Sequence, residues 1–291
     1  MKPAAFAYFR PSSLEEALTQ LSACGDTAKV IAGGQSLAPM LNMRLASPSA
    51  LIDLNDLTEL AYVRDAGDSL EIGALTRHDQ IATSKLVQAQ CPLLAHAAQT
   101  IGHYAIRQRG TLGGSLAHAD PAAQLALIAT TLEATIKVSS SRGNRSLKAS
   151  AFFRSVMDTA LAPDEVIRCV HFPKTRLNEG VSFKMFNRRH GDYAIVAAAA
   201  TVTVCGEQVT HLRLGLSGIG ATALNCTEFV APFVGRVANA AWAADVARVV
   251  REEVSPEDEP RISAVYRKEL TQTLVERALL RALSRTQECP V

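Results

Sequence analysis

Apolar residues recur along the chain with two periods, alternation over short segments and the three-to-four spacing of amphipathic helices. Phe6 to Arg10 alternates and stops at Pro11. Leu14, Ala17, Leu18 and Leu21 then share one helical face, preceded by Ser13-Leu-Glu-Glu16 with the grammar of a capping box. That helix is expected to run to about Ala23 and to end at Gly25-Asp26. Lys29 to Ala32 reads as a short buried strand, Leu37 to Leu45 as a short helix despite Pro39, and Leu51 to Leu54 as a strand. Residues 1–57 thus form a small βαβ-like unit.

Ser69 to Leu75 alternates as a strand, and Thr76-Arg-His-Asp79 caps a helix expected to reach about Ala89. Pro92 opens another over Leu93 to Ile101. His103 to Gly110 shows no period and reads as irregular. Pro121 to Leu132 is an apolar helix, Ala134 to Ser139 a strand, Ser139 to Asn144 a turn, and Glu165 to Phe172 a strand closing at Pro173. This second unit covers 58–175. Beyond a polar loop, the third unit, 176–291, holds strands at Ser182 to Asn187, Ala194 to Cys205 and Val209 to Ser217, the last two a hairpin. Helical patterns follow at Ala238 to Val254 and Ser263 to Ser284. The third unit is therefore a three-stranded meander plus helices, and the chain as a whole is α+β.

Composition excludes several classes. Thirty basic against 28 acidic residues give no field that would draw nucleic acid, and the basic stretch Lys184 to His190 is too short to act alone. The six cysteines, at 24, 91, 169, 205, 226 and 289, are never closer than 21 residues, so no metal or iron–sulfur ligation is expected within the chain. Met1 to Phe6 lacks the apolar core of a signal peptide, and no apolar run approaches membrane-spanning length. A reducing cytoplasm with free thiols is the expected compartment.

Two segments carry the candidate chemistry, Ala32-Gly33-Gly34-Gln35-Ser36 and Thr111-Leu112-Gly113-Gly114-Ser115, about eighty residues apart. Each reads as a Gly-Gly turn whose bare backbone amides a bulky anion can approach, and two could grip one diphosphate. Either alone is equally well an ordinary turn. The spacing is not that of a Rossmann fingerprint, and Asp53, at a tempting distance, sits at an ordinary strand end. No P-loop or G-x-S-x-G elbow occurs. Asp120, before Pro121, reads as the N-cap of the next helix, whose N-terminal amides would face Gly113 and Gly114.

These blocks, Ile31 to Pro39 with Arg44 to Pro48, Ile106 to Pro121, and Gly191-Asp-Tyr-Ala194, resemble the FAD-binding medium subunit of molybdenum hydroxylases, the xanthine dehydrogenase and carbon monoxide dehydrogenase group. The resemblance covers nearly the whole chain. It implies a vanillyl-alcohol-oxidase-like (PCMH-type) FAD-binding domain of two subdomains and a C-terminal flavoprotein domain. It implies that residues 32 to 36 and 111 to 115 hold the FAD pyrophosphate, with Ile106, Ala117 and Asp120 in the same second block. By the same resemblance Ile101 is an apolar contact near that block, Ile167 a partner on the adenine side, Lys184 a cation approaching the isoalloxazine, and Tyr193 a ring beside it. Two positions depart from the family pattern: Ser115 stands where Asn is common. Gln124 stands where an acid often faces the ribose or adenine, and a solvent-facing polar residue fits it equally.

The resemblance also implies a division of labour. A large partner subunit carries a molybdenum cofactor, a small one two [2Fe–2S] clusters, and this chain passes electrons from them to an acceptor, in an (αβγ)2 assembly with no catalytic acid, base or metal ligand of its own. The wording of the motifs is closest to three-subunit members oxidising N-heteroaromatic compounds, with carbon monoxide or aldehydes as alternatives. A self-sufficient FAD oxidase and a non-catalytic nucleotide-binding protein are the rival classes.

Overall fold

The computed structural model describes residues 2–286; Met1 and Cys289, cited above, lie outside them. The first sheet is wholly parallel. Strand β1 (Ala7–Phe9) is followed by helix α1 (Leu14–Cys24), β2 (Ala28–Ile31), α2 (Leu37–Asn42) and β3 (Ala50–Asp53), with the strands in the order β1-β3-β2. Buried Ala17, Leu18 and Leu21 of α1 pack on Ile52 and Leu54, as the helical spacing requires. The expected capping box is shifted. The Ser13 hydroxyl accepts from the Glu16 amide at 3.2 Å, but the Glu16 carboxylate reaches past Ser13 to the Ser12 amide at 2.7 Å.

The second sheet is antiparallel. It begins with β4 (Val63–Asp65) and β5 (Ser69–Gly73) and, after a run of helices, continues with β6 (Thr135–Ser140) and β7 (Gly143–Lys148); β8 (Phe153–Ser155) and β9 (Asp158–Thr159) form a separate two-stranded sheet. Then comes β10 (Val166–Pro173), giving the order β4-β5-β10-β6-β7. Strand β7 lies where the sequence showed only a turn and polar residues. It is the exposed edge partner of β6, so it carries no apolar alternation.

The helices between β5 and β6 are α3 (His78–Thr83), α4 (Lys85–Gln90), α5 (Pro92–Gln99), α6 (Tyr104–Arg109), α7 (Leu112–His118) and α8 (Gln124–Thr131), and α9 (Ala149–Phe152) follows β7. Three differ from expectation. The helix foreseen from Thr76 to Ala89 is broken at Ser84, an extended residue whose hydroxyl caps α4 by accepting from the Val87 amide. His103 to Gly110 is helical, because the Arg107 and Gly110 amides find the carbonyls of His103 and Ile106. Finally, Gly113 and Gly114 lie within α7 rather than in a turn, behind Thr111 as its N-cap.

The third sheet joins β11 (Glu179–Phe186), β12 (Val196–Cys205), β13 (Gln208–Ser217) and a short β14 (Leu224–Asn225) in that order, so the expected meander gains a fourth strand. Helices α10 (Thr227–Val230), α11 (Ala240–Glu253) and α12 (Ala264–Leu283) follow. Strand β12 is buried on both faces. Ala197 and Ala199 join the core built by the second sheet and its helices, while Ala198, Ala200 and Val202 join a separate core with α11 and α12. This explains its continuous apolar run.

Candidate functional site

A cleft of about 690 Å³ runs between the first sheet and the second-sheet unit. Its two long walls are the two Gly-Gly segments. Ala32, Gly33, Gly34, Gln35 and Ser36, between β2 and α2, form one, and Thr111, Gly113, Gly114, Ser115 and Ala117, at the start of α7, form the other, the two meeting where Gly33 lies against Arg109 and Gly110. Ile101 and Ile106 border it from the loop before α6 and from α6 itself, and Ile167 from β10. Gln124 reaches it from the first turn of α8, and Tyr193 from the loop after β11. These residues span most of the sequence, yet the fold gathers them around one space.

The two walls offer different chemistry. Among the described residues, no protein acceptor pairs with the backbone amides of Gly33, Gly34, Gln35 or Ser36. Gly34 has φ of +69°, where a side chain is strained, so this loop presents successive donors that only glycine permits. Gln35 steadies it, its Nε2 donating to the Gly33 carbonyl at 2.8 Å. The second wall is already bonded internally. The Gly113 amide donates to the Ala74 carbonyl at 2.8 Å, that of Gly114 to the Thr111 hydroxyl at 3.1 Å, and that of Ser115 to the Thr111 carbonyl at 3.0 Å. It contributes hydroxyls and the N-terminal end of a helix, not a row of free amides. Glycine at 113 is required by packing, since a Cβ would lie 2.7 Å from that of Ala74. Such a pair of walls, one of free amides and one of hydroxyls, fits a diphosphate.

Beneath the second wall lies His78, buried, its Nε2 at 2.9 Å from the Thr111 carbonyl. Burial pushes its imidazole down to about 4, so the ring is neutral near pH 7 and Nε2 donates this bond. At the mouth, Tyr193 is half-exposed. Burial of part of the ring and the nearby Asp120 carboxylate raise its phenol, and a hydrogen bond with the Ser36 side chain opposes them.

Two expected positions are not brought to the cleft wall. Asp120 does not cap α8. Its carboxylate accepts from the Ala122 amide at 2.8 Å, one turn early, and Ala123 is the N-cap residue. Lys184 is paired across β11 and β12 with Ala198, so it shares the face turned toward α11 and α12. Its neighbours Phe183 and Met185 pack on the opposite, cleft-side core. Gln124 does not face solvent: it is buried, with its Nε2 3.9 Å from Met185 Sδ. Several lining residues carried no signal in the sequence, among them Met157, Asp158, Leu161 and Glu165. Glu165 is held by Arg145 in two bonds of 2.6 Å, and that pairing lowers its carboxyl below the usual range.

Comparison with known proteins decides the family. Residues 4–175 match the FAD binding domain in molybdopterin dehydrogenase, and residues 181–282 the CO dehydrogenase flavoprotein C-terminal domain. The chain belongs to the FAD-binding medium subunits of molybdenum hydroxylases. It is 39% identical over 288 residues to the 6-hydroxypseudooxynicotine dehydrogenase complex subunit alpha of Paenarthrobacter nicotinovorans, covering 99% of this chain and 97% of that one. Among solved structures it is similar to carbon monoxide dehydrogenase from Hydrogenophaga pseudoflava, with TM-score 0.95, 33% identity and coverage of 99% and 100%. It is also similar to quinoline 2-oxidoreductase from Pseudomonas putida 86, with TM-score 0.92, 35% identity and coverage of 98% and 99%. The subunit is thus an FAD-binding oxidoreductase component with the PCMH-type domain and C-terminal domain that the resemblance implied. No helix among the described residues is long and apolar enough to cross a membrane.

Proposed function

We propose that this medium subunit holds FAD in the cleft, with the diphosphate between residues 32–36 and 111–115. In this reading it passes electrons from the [2Fe–2S] clusters of a small subunit to an external acceptor, after hydroxylation at a molybdenum cofactor on a large subunit. The observation that carries this reading is the row of amides from Gly33 to Ser36 without protein acceptors among the described residues, in the same cleft that the start of α7 lines. FAD supplies the two-electron to one-electron exchange that such a chain needs.

The protein's own residues bind and orient. The amides of the first wall and the hydroxyls of Thr111 and Ser115 hold the phosphates. Ile101 and Ile106 would exclude water beside the second segment, and Ile167 would border the adenine end. Gln124 donates or accepts without adding charge. Tyr193 would flank the ring at the mouth as a neutral phenol, which burial and the Asp120 carboxylate make still harder to ionise than an ordinary tyrosine. Lys184, on the far face of β11, acts at most through the sheet. The units 1–57 and 58–175 supply opposing walls, and 176–291 supplies Tyr193.

The substrate class best supported is N-heteroaromatic. The 6-hydroxypseudooxynicotine dehydrogenase subunit, at 39%, is more similar to this chain than the carbon monoxide enzyme, at 33%, while the quinoline enzyme and a glyceraldehyde dehydrogenase medium chain of Sulfolobus acidocaldarius both stand at 35%. The assembly is read as (αβγ)2 in the cytoplasm. The test is to express the chain alone and with its genomic neighbours, then measure flavin, iron and molybdenum together with substrate oxidation. Flavin on this chain and activity only in the assembled complex is the expected result. Turnover of an organic substrate by the isolated chain would replace the electron-transfer reading with a self-sufficient oxidase. An intact complex without flavin would refute both.

A further inference from the structure

The two cleft walls belong to different units, and something must fix the gap between them. They touch directly where Gly33 lies against the backbone of Arg109 and Gly110; a Cβ on Gly33 would fall 2.2 Å from the Arg109 carbonyl oxygen. A backbone contact of this kind limits approach but does not prevent the walls from parting or sliding. Beside it lies a connected set of polar bonds that does. Arg77 Nη1 donates to that same Arg109 carbonyl at 2.5 Å, and its Nη2 donates to Asn55 Oδ1 at 2.8 Å. Asn55 Nδ2 in turn donates to the Ala32 carbonyl at 2.8 Å and to Asp53 Oδ1 at 2.5 Å. One guanidinium and one amide therefore join the last residue before the first Gly-Gly pair to the residue that leads into the second segment.

The other end of Arg77 is anchored to the second wall. Its neighbours in sequence exchange backbone bonds with it, His78 donating to the Gly110 carbonyl at 2.9 Å and Leu112 to the Thr76 carbonyl at 3.0 Å. The Arg77 amide donates to Gln80 Oε1 at 2.9 Å. Neither Arg77 nor Asn55 lines the cleft. Both are half-buried; the bonds of Asn55 to Arg77, Ala32 and Asp53 are partly screened from water and that of Arg77 to Arg109 is exposed, and a planar guanidinium with donors in a fixed fork suits a spacer better than a flexible ammonium.

We propose that Arg77 and Asn55 are positioning residues that set the separation of the two walls, and so the fit of the FAD diphosphate between them. This rests on the reading that the diphosphate lies between those walls.

The test uses the assembled complex carrying Arg77→Met, Arg77→Lys, Asn55→Ala, or Arg77→Met with Asn55→Ala. Measured are the FAD dissociation rate, the visible circular dichroism of the bound flavin, and the thermal midpoint of the flavin-free complex. Arg77→Met and Asn55→Ala should each accelerate FAD loss about tenfold and alter the flavin dichroism, with the midpoint of the flavin-free complex little changed. The double variant should be no worse than the more severe single one, because both cut the same connection. Arg77→Lys should recover part of the loss. Unchanged dissociation and dichroism, or effects of the two single substitutions that simply add, would overturn the proposal. If Arg77→Met does not assemble, Asn55→Ala alone decides by the same two readouts. Gly34→Val serves as the separate control. Normal flavin retention in that variant would refute the placement of the diphosphate itself. Flavin loss in Gly34→Val with retention in the Arg77 and Asn55 variants would refute only the brace.

Discussion

Glycine at 34 and at 113 is required for different reasons, and the two substitutions should fail differently. Gly34 has a left-handed backbone, and an added Cβ would meet only ordinary van der Waals contact, with Ile31 Cδ1 at 3.5 Å the nearest atom. Gly34→Val therefore costs about 1–3 kcal/mol of local strain and reorients free amides without disturbing the core. We expect flavin content to drop at least tenfold while the fold persists, measured by absorbance against protein and by circular dichroism. At Gly113 the backbone is helical and the obstacle is Ala74, so Gly113→Val should lower stability as well as flavin content.

His78 brings pH dependence to the same place. Its folded value of about 4 lies below the ordinary 6.5, so the unfolded chain binds the proton first as pH falls. The contribution of the neutral ring is fully present above pH 6.5, declines between 6.5 and about 4, and is gone below that. It amounts to at most about 3 kcal/mol. His78→Gln keeps a donor for the Thr111 carbonyl but cannot titrate. Unfolding free energies measured from pH 7 to 4.5 should fall less steeply in this variant than in the parent. Parallel slopes would show that His78 is not responsible.

At the scale of elements, the start of α7 is the most informative. The Thr111 hydroxyl caps the helix by accepting from the Gly114 amide. Thr111→Ala should lower stability by about 1 kcal/mol in chemical denaturation, and flavin should dissociate faster because a wall hydroxyl is lost. This element also shows what the sequence concealed. Two adjacent glycines have poor intrinsic helix propensity and read as a turn, but the Thr111 cap and the close seat against Ala74 override that preference. The first segment was legible because its φ requirement is local. The alternating strands and amphipathic α1, α11 and α12 were legible for the same reason, each being written in consecutive residues. Lys184 was not, because its strand was plain while the face it occupies depends on pairing with Ala198 in β12. For Gln124 the sequence left two readings open, a cofactor-site residue and a solvent-facing one, and its burial beside Met185, which comes from another unit, removes the second. Asn55 and Arg77 had no signature at all, since their meaning lies in bonds to Ala32 and Arg109.

At the scale of the whole molecule, β12 is the wall shared by two cores. Its small side chains, Ala197 to Ala200, let the helices of the second unit and α12 both approach the same strand. Ala199→Leu would add volume to a fully buried position and should cost about 1–3 kcal/mol. Calorimetry of that variant should show a single transition shifted to lower temperature. A low-temperature transition splitting away from an unchanged one would mean that the two matched regions unfold separately.

That shared strand has a thermodynamic consequence. A ligand that binds only the native state stabilises whatever unfolds with its site, by an amount set by its free concentration relative to its dissociation constant. Since the cleft-side core and the helical core meet on opposite faces of β12, a flavin bound in the cleft would also protect α11 and α12 if the subunit unfolds in that single transition. Cellular flavin supply would then govern the lifetime of the entire subunit, including the helices farthest from the cleft.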